Sequence, residues 1–293
     1  MNVASTSHEP RPSPNADVMA FWEDVMVQKY QRFRGILVGA TARHAARALA
    51  IHAPPPRGHV LDVGCGFGET TITWARAVGA EGRAVGVDPC EAFLAAGRAD
   101  ALAAGARNVS FVRDDAQTAS FADYDRVFSA FGVMFFAQPV AALRNLRAAL
   151  RPGGRMQLLV WNERQANPWL TLAALACERV LPPVPKTAAT CGPGPFSMAE
   201  PDELRGMLGR AGLVDIELHR FDEDVHVGAS TEEAVAFQLA LGPAGERMRV
   251  AGAIGTEVET RIRDEVRHLL RPHRRADGIW LRSSVWYATG VRA

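Results

Sequence analysis

The stretch Val60-Leu61-Asp62-Val63-Gly64-Cys65-Gly66-Phe67-Gly68-Glu69-Thr70 joins a short apolar run, a carboxylate inside it, and three glycines at alternate positions. Such a run reads as a buried parallel strand ending in a glycine-rich turn. Apolar positions from Thr71 to Val78 fall at helical spacing, so the unit is strand, tight turn, helix. Glycine in the turn permits positive φ and lets a ligand approach the main chain with no Cβ between them. The N–H groups of the helix start would meet that ligand. The dinucleotide fingerprint G-x-G-x-x-G/A wants a small third residue, and this chain carries Glu69 there. Asp62, two residues before the first glycine, would repel a pyrophosphate and favour a ligand with positive charge.

Asp62-x-Gly64-x-Gly66-x-Gly68 after a strand resembles the first motif of class I S-adenosylmethionine-dependent methyltransferases. Their ligand carries an ammonium and a sulfonium but no phosphate. Arg83 to Asp88-Pro89-Cys90 is a second apolar strand ending in an acid. It lies roughly 20 residues past the turn, where α/β nucleotide sites place a carboxylate for both ribose hydroxyls. A helix N-cap aspartate is the plainer reading of Asp88. Asn108 to Arg113 is a third strand, ending in Asp114-Asp115-Ala116-Gln117. The resemblance implies that Asp115 accepts from an adenine amino group and that the Ala116 N–H donates to a ring nitrogen, with Asp114 as the alternative acid. The fourth strand, from Tyr124, ends in Ser129-Ala130-Phe131-Gly132, not in the N/D-P-P-Y/F loop of enzymes that methylate nucleic-acid amino groups. By the same resemblance Ser129 and Phe131 contact the methionine part of the cofactor, and Cys65 and Pro89 belong to the binding turns. Leu150-Arg151-Pro152-Gly153-Gly154 before a fifth strand, Met156 to Trp161, is a further shared feature. The likeness runs from Val60 to Trp161 and is nearest the type 11 subgroup resembling ubiquinone and menaquinone methyltransferases.

Other elements must position these groups. Asp17 to about Leu49 has apolar residues at helical spacing, with Gly35 and Gly39 read as interruptions giving two or three helices. Pro54-Pro55-Pro56-Arg57-Gly58 ends this layer. The expected organisation is a tail (1–16), a helical lid (17–57), a cofactor-binding core (58–161), a substrate cap (162–200), and the rest of the sheet (201–293) with helices inserted at 231–270. The fold class is α/β: a Rossmann-like seven-stranded sheet, mostly parallel, flanked by helices and topped by a helical cap. Likeness to the family places the last strand, from Ile279, antiparallel between strands five and six. Tyr30 and Arg34 on the lid, and Trp161, Trp169 and Phe196 near the cap, are candidate acceptor-binding residues. Each also reads as an ordinary core or surface residue.

A chain of 293 residues, 48% hydrophobic and 22% charged, can bury a substantial core. A formal net charge of +1 gives no reason to expect nucleic acid or an anionic membrane as partner. No apolar run approaches the roughly 20 residues of a membrane span, and Met1 to Ala16 lacks the apolar stretch of a signal peptide. Cys65, Cys90, Cys177 and Cys191 form no C-x-x-C pair, which argues against zinc or a disulfide framework and fits the cytoplasm. The expected partner is a small-molecule methyl acceptor, with a homodimer left open. Methyl transfer from a sulfonium is an in-line displacement with a neutral leaving group, S-adenosylhomocysteine. Catalysis can therefore rest on orientation and water exclusion. If the acceptor is a phenol or alcohol a base would help, and His44 is the first candidate. The alternatives are an NAD(P)-dependent oxidoreductase, which Asp62 and Glu69 oppose, and a non-methylating relative that keeps the cofactor fold.

Overall fold

A computed structural model describes residues 13–183 and 193–293. The expected tail up to residue 12, and the part of the proline-rich run holding Pro185 and Cys191, lie outside the described residues. The N-terminal layer is α1 (Ala16–Phe21), a π-helical turn (Trp22–Met26), α2 (Val27–Arg32) and α3 (Arg34–Ile51). The interruption falls at Phe33, where φ −108° and ψ 21° leave the helical region, and α3 runs unbroken through Gly35 and Gly39. A helical glycine is unfavourable by only about 1 kcal/mol relative to alanine. Burial of Ile36, Leu37, Ala40, His44 and Ala48 along one stripe of α3 outweighs it. Residues 13–16 are not frayed: Asn15 is buried, and its Oδ1 accepts from Ala137 N at 3.1 Å.

The core follows as β1 (His59–Val63), α4 (Glu69–Val78), β2 (Arg83–Asp88), α5 (Glu91–Ala103), β3 (Val109–Arg113), β4 (Tyr124–Ala130), α6 (Pro139–Ala149) and β5 (Leu150–Trp161). Then come α7 (Pro168–Val180), α8 (Pro201–Arg210), β6 (Leu213–Gly228), α9 (Thr231–Ala240), α10 (Gly242–Ala251), α11 (Thr256–Leu270), β7 (Arg274–Arg275) and β8 (Gly278–Arg292). The sheet order is β3-β2-β1-β4-β5-β8-β6, with β7 a two-residue arm on β8. Strands β1 to β5 pair in parallel, and β8 runs antiparallel between β5 and β6.

Central strands covered on both faces need unbroken apolar runs. Val60, Leu61 and Val63 of β1, and Val127 and Phe128 of β4, are accordingly buried. The Arg151–Gly154 turn is an irregularity inside one long β5: Tyr124 pairs with Leu150, then Arg126 with Arg155. Strand β6 runs on to Gly228 because β8 offers it a partner along its whole length. The helical insertion divides into three, breaking at Leu241 and again at Gly252. It packs on α7: α10 and α11 both lie against that helix.

Candidate functional site

At the end of β1 the chain turns with Gly64, Gly66 and Gly68 all at positive φ, 66°, 53° and 81°. Gly64 N and Cys65 N both donate to Val87 O, at 2.8 and 3.1 Å, which ties the turn to β2. A Cβ on Gly64 would stand 2.8 Å from Gly132 Cα, so the β1 and β4 loops touch there, backbone to backbone. A Cβ on Gly66 would meet nothing within 4 Å: that residue faces open space.

Three carboxylates gather at the tips of β1, β2 and β3. Asp62 is fully buried, and its Oδ2 accepts from Thr70 Oγ1 at 2.7 Å and Thr71 Oγ1 at 2.6 Å. Its Oδ1 is buried with no partner. Burial pushes its pKa up to about 6 against the pull of the two threonines, with Asp88 and Glu69 adding to the rise. Asp88 is 7% exposed; Oδ2 accepts from Gly66 N at 3.0 Å and Oδ1 from Cys90 N at 2.9 Å. Burial raises it as well, to about 6. Asp115 accepts from Gln117 N at 2.9 Å on Oδ1 and from the Ser13 hydroxyl on Oδ2. The helix-cap reading of Asp88 describes only one of its oxygens, since the other reaches back to the glycine turn.

These tips open into a cavity of about 1040 Å³. Gly64, Cys65, Gly66, Asp88, Pro89, Asp115, Ala116 and Phe131 lie on its wall, and so do Tyr30, Trp161 and Trp169. Six expected site residues do not. Asp62 and Gly68 flank the turn, with Gly68 ending it as the cap of α4. Ser129 is fully buried and donates to Val63 O at 2.8 Å, holding β4 to β1. Arg34 donates to Glu69 through Nε at 3.0 Å and pairs with Asp100, clamping α3 to α4 and α5. Phe196 lies under the Arg164 guanidinium, 5.2 Å away.

His44 is the clearest departure. Its ring is fully buried on the sheet side of α3, with Nε2 2.9 Å from Ser283 Oγ and Nδ1 without a partner. Burial, aided by Arg47, drives its pKa down to about 4, so the ring is neutral at pH 7. It stands edge-on to Phe131 and Trp161 and supports the wall from behind. Phe131 itself has φ 67°, a strained conformation for an aromatic residue. Its ring stacks on Trp161 at 3.8 Å between centroids.

Several wall residues had no signal in the sequence. Asn15 sits between Asp115 and Ala137. Trp22 packs edge-on against Phe93 and Phe135, spanning the β2 and β4 loops. Lys29 of α2, Glu178 of α7, and Glu246 and Arg247 of α10 close the far end. Asn167 fixes α7 there by exchanging hydrogen bonds with the Ser284 backbone, both at 2.9 Å. Among the described residues no three His, Cys, Asp or Glu side chains are grouped to hold a metal, and no helix is long and apolar enough to cross a membrane.

The donor set suits a cationic nucleoside and opposes a phosphate. Asp62 keeps an unused buried acceptor, Asp88 and Asp115 retain lone pairs, and Glu69 adds a further carboxylate on the cavity wall. Comparison with known proteins agrees. Residues 60–154 match the family model described as a methyltransferase domain. The chain is 30% identical to the ubiquinone/menaquinone biosynthesis C-methyltransferase UbiE of Cellvibrio japonicus, over 65% of this chain and 81% of the relative. It is 30% identical to nocamycin O-methyltransferase of Saccharothrix syringae, over 65% and 71% respectively. The fold superposes with a TM-score of 0.57 and 13% identity on Haemonchus contortus phosphoethanolamine N-methyltransferase 2 in complex with S-adenosyl-L-methionine, covering 97% of this chain and 60% of that one. None of these matches favours a dinucleotide-dependent oxidoreductase. The chain belongs to the class I S-adenosylmethionine-dependent methyltransferases, in the subgroup similar to the ubiquinone/menaquinone enzymes.

Proposed function

We propose that this chain transfers a methyl group from S-adenosylmethionine to a small organic acceptor held in the apolar half of the cavity. The observation that carries this reading is the cavity itself. At about 1040 Å³ it exceeds what one ligand needs, and it joins the carboxylate tips to an apolar lobe under α1, α2, α7 and α10. The names of the two relatives, a quinone-pathway C-methyltransferase and an antibiotic O-methyltransferase, support an organic acceptor of that kind.

In this reading Asp62, buried behind the glycine turn and off the cavity wall, favours the ammonium of the cofactor's amino-acid part through its charge. The Gly64–Gly66 backbone receives that part closely. Asp88 accepts from the ribose hydroxyls, while Asp115 and the Ala116 N–H take the adenine. When bound, the cofactor supplies an activated methyl group on a positively charged sulfur. The protein then has to align the acceptor and keep water out. Phe131, Trp161 and Trp169 form a rigid aromatic wall for that purpose. No protein base is assigned. His44 is neutral and off the wall, the Tyr30 hydroxyl is pushed up to about 12 by burial, and burial beside Asp88 keeps the Cys65 thiol protonated.

The test is calorimetry with S-adenosylhomocysteine and with NAD⁺. Heat with the first and none with the second is expected; the reverse overturns the reading.

A further inference from the structure

Asn15 is the N-cap residue of α1, the position from which an asparagine side chain ordinarily accepts from the first N–H groups of its own helix. It makes no such bond. Its carboxamide turns instead into the cavity wall, where the residue is 6% exposed. Oδ1 accepts from Ala137 N at 3.1 Å, and Nδ2 lies 3.5 Å from Asp115 Oδ1. A backbone N–H can only donate, so Ala137 fixes which way the amide faces: oxygen toward Ala137, nitrogen toward the carboxylate.

Two donors therefore converge on one oxygen of Asp115, Gln117 N at 2.9 Å and the Asn15 amide, and the carboxylate cannot turn. Its other oxygen has only the Ser13 hydroxyl, which a ligand donor can displace. The same amide ties Asp115 to the loop after β4, which brings Phe131, Phe135 and Phe136 to the cavity wall. Gln138, next to Ala137, adds a second tie by donating from N to Gln117 Oε1 at 2.9 Å. One side chain from the N-terminal layer thus bridges the β3 and β4 tips. Only a carboxamide suits this place, since one of its atoms must accept and the other donate. Aspartate would serve Ala137 but repel Asp115, and alanine would serve neither.

We propose that Asn15 is the positioning residue for purine selection: it holds Asp115 with one oxygen turned to the protein and one left for the ligand, so that the site takes a 6-aminopurine nucleoside and rejects a 6-oxopurine one. This rests on the reading of Asp115 as acceptor for the adenine amino group and deepens it. A carboxylate held as an acceptor meets the amino group with a hydrogen bond. Hypoxanthine presents a carbonyl oxygen at the same place, and two acceptors then face each other. A site built around a hydrogen bond strongly rejects an analogue that cannot make it.

The experiment is calorimetry on the full chain with S-adenosylhomocysteine and with S-inosylhomocysteine, which differs only in its purine base. The wild type should bind the adenosine compound about tenfold or more tightly. Asn15→Asp keeps the size and the acceptor for Ala137 N but sets a second carboxylate beside Asp115. Two carboxylates so close share a proton, and the protonated oxygen can donate to the hypoxanthine carbonyl. That variant should bring the ratio of affinities to about one. Asn15→Ala should lower it several-fold, and the isosteric aspartate variant decides alone if the alanine variant does not fold. Glu23→Gln loosens the same layer at its exposed pair with Arg113 and should leave the ratio intact, even where both affinities fall. Asn15 variants that weaken both ligands by one factor would make the residue a structural support and overturn the proposal, with the reading of Asp115 left standing. Equal binding of the two ligands by the wild type would overturn that reading and the proposal together. No binding of S-adenosylhomocysteine by the wild type would overturn the methyltransferase reading itself.

Discussion

At the residue scale, Asp62 holds a charge in a fully buried place with one oxygen unpaired. Its pKa is raised from 3.8 to about 6, as is that of Asp88. A carboxyl raised on folding stabilises the fold fully below its unfolded value, and that contribution is lost as pH rises through about 6. Above pH 6 each buried carboxylate therefore opposes folding, by about 3 kcal/mol. A bound ammonium reverses this at Asp62, since it favours the ionised form. The thermal stabilisation given by S-adenosylhomocysteine should accordingly be larger at pH 7.5 than at pH 5, and Asp62→Asn should flatten the difference. An equal stabilisation at both pH values in the wild type would contradict this role. The glycines separate in the same way. Gly64→Ala meets backbone at 2.8 Å and should lower the melting temperature, whereas Gly66→Val projects into open space. Its left-handed strain amounts to about 1–2 kcal/mol. It should leave a folded protein that no longer binds S-adenosylhomocysteine, as calorimetry would read.

At the scale of elements, the segment ahead of α1 closes on the β3 tip. Ser13 donates to Asp115 Oδ2, while Oδ1 is already taken by Gln117 N. If Asp115 receives the adenine amino group, Ser13 competes for the same oxygen. Ser13→Ala should then tighten S-adenosylhomocysteine binding several-fold, up to about tenfold for one hydrogen bond to a charged group. The inosine analogue, which lacks the amino group, should show no such gain. An identical effect on both ligands would assign Ser13 a merely structural part. Helix α3 shows how burial overrules local preference. Two glycines read as breaks lie inside it, because the stripe from Ile36 to Ala48 has the sheet to pack on. That same stripe carries His44 inward to Ser283 and away from the cavity.

At the scale of the whole molecule, the cavity is assembled from distant parts of the chain. Strand tips β1 to β4 form its floor. The N-terminal layer covers it through Trp22, which bridges Phe93 and Phe135, and through the Glu23–Arg113 pair at 2.8 Å. The far wall is α7 and α10. A layer held over a ligand by a few contacts opens more readily than the sheet beneath it. Amide exchange over residues 16–32 should therefore slow when S-adenosylhomocysteine is added, with the protected strands β1, β4 and β5 unchanged. Exchange that slows uniformly across the molecule would argue that this layer does not move as a unit.

Local chemistry made the strand-tip end of the cavity legible. A glycine turn and acids at strand ends depend on residue type and short spacing, so Asp62, Gly66 and Asp88 could be named from the chain, while the choice of Asp115 over Asp114 came from the family resemblance. The antiparallel place of the last strand between strands five and six was expected only from the family likeness, and the sheet has it there. Pairing along β8 decided the length of β6, and packing on the sheet decided the continuity of α3. The acceptor lobe was not legible. Lys29, Glu178 and Arg247 lie more than two hundred positions apart at the extremes and carry no shared motif. Only packing of α10 on α7, with α2 lining the same cavity, brings these residues to one lobe. Which side of α3 a histidine faces is likewise a matter of what the helix packs against, and that is a property of the folded chain.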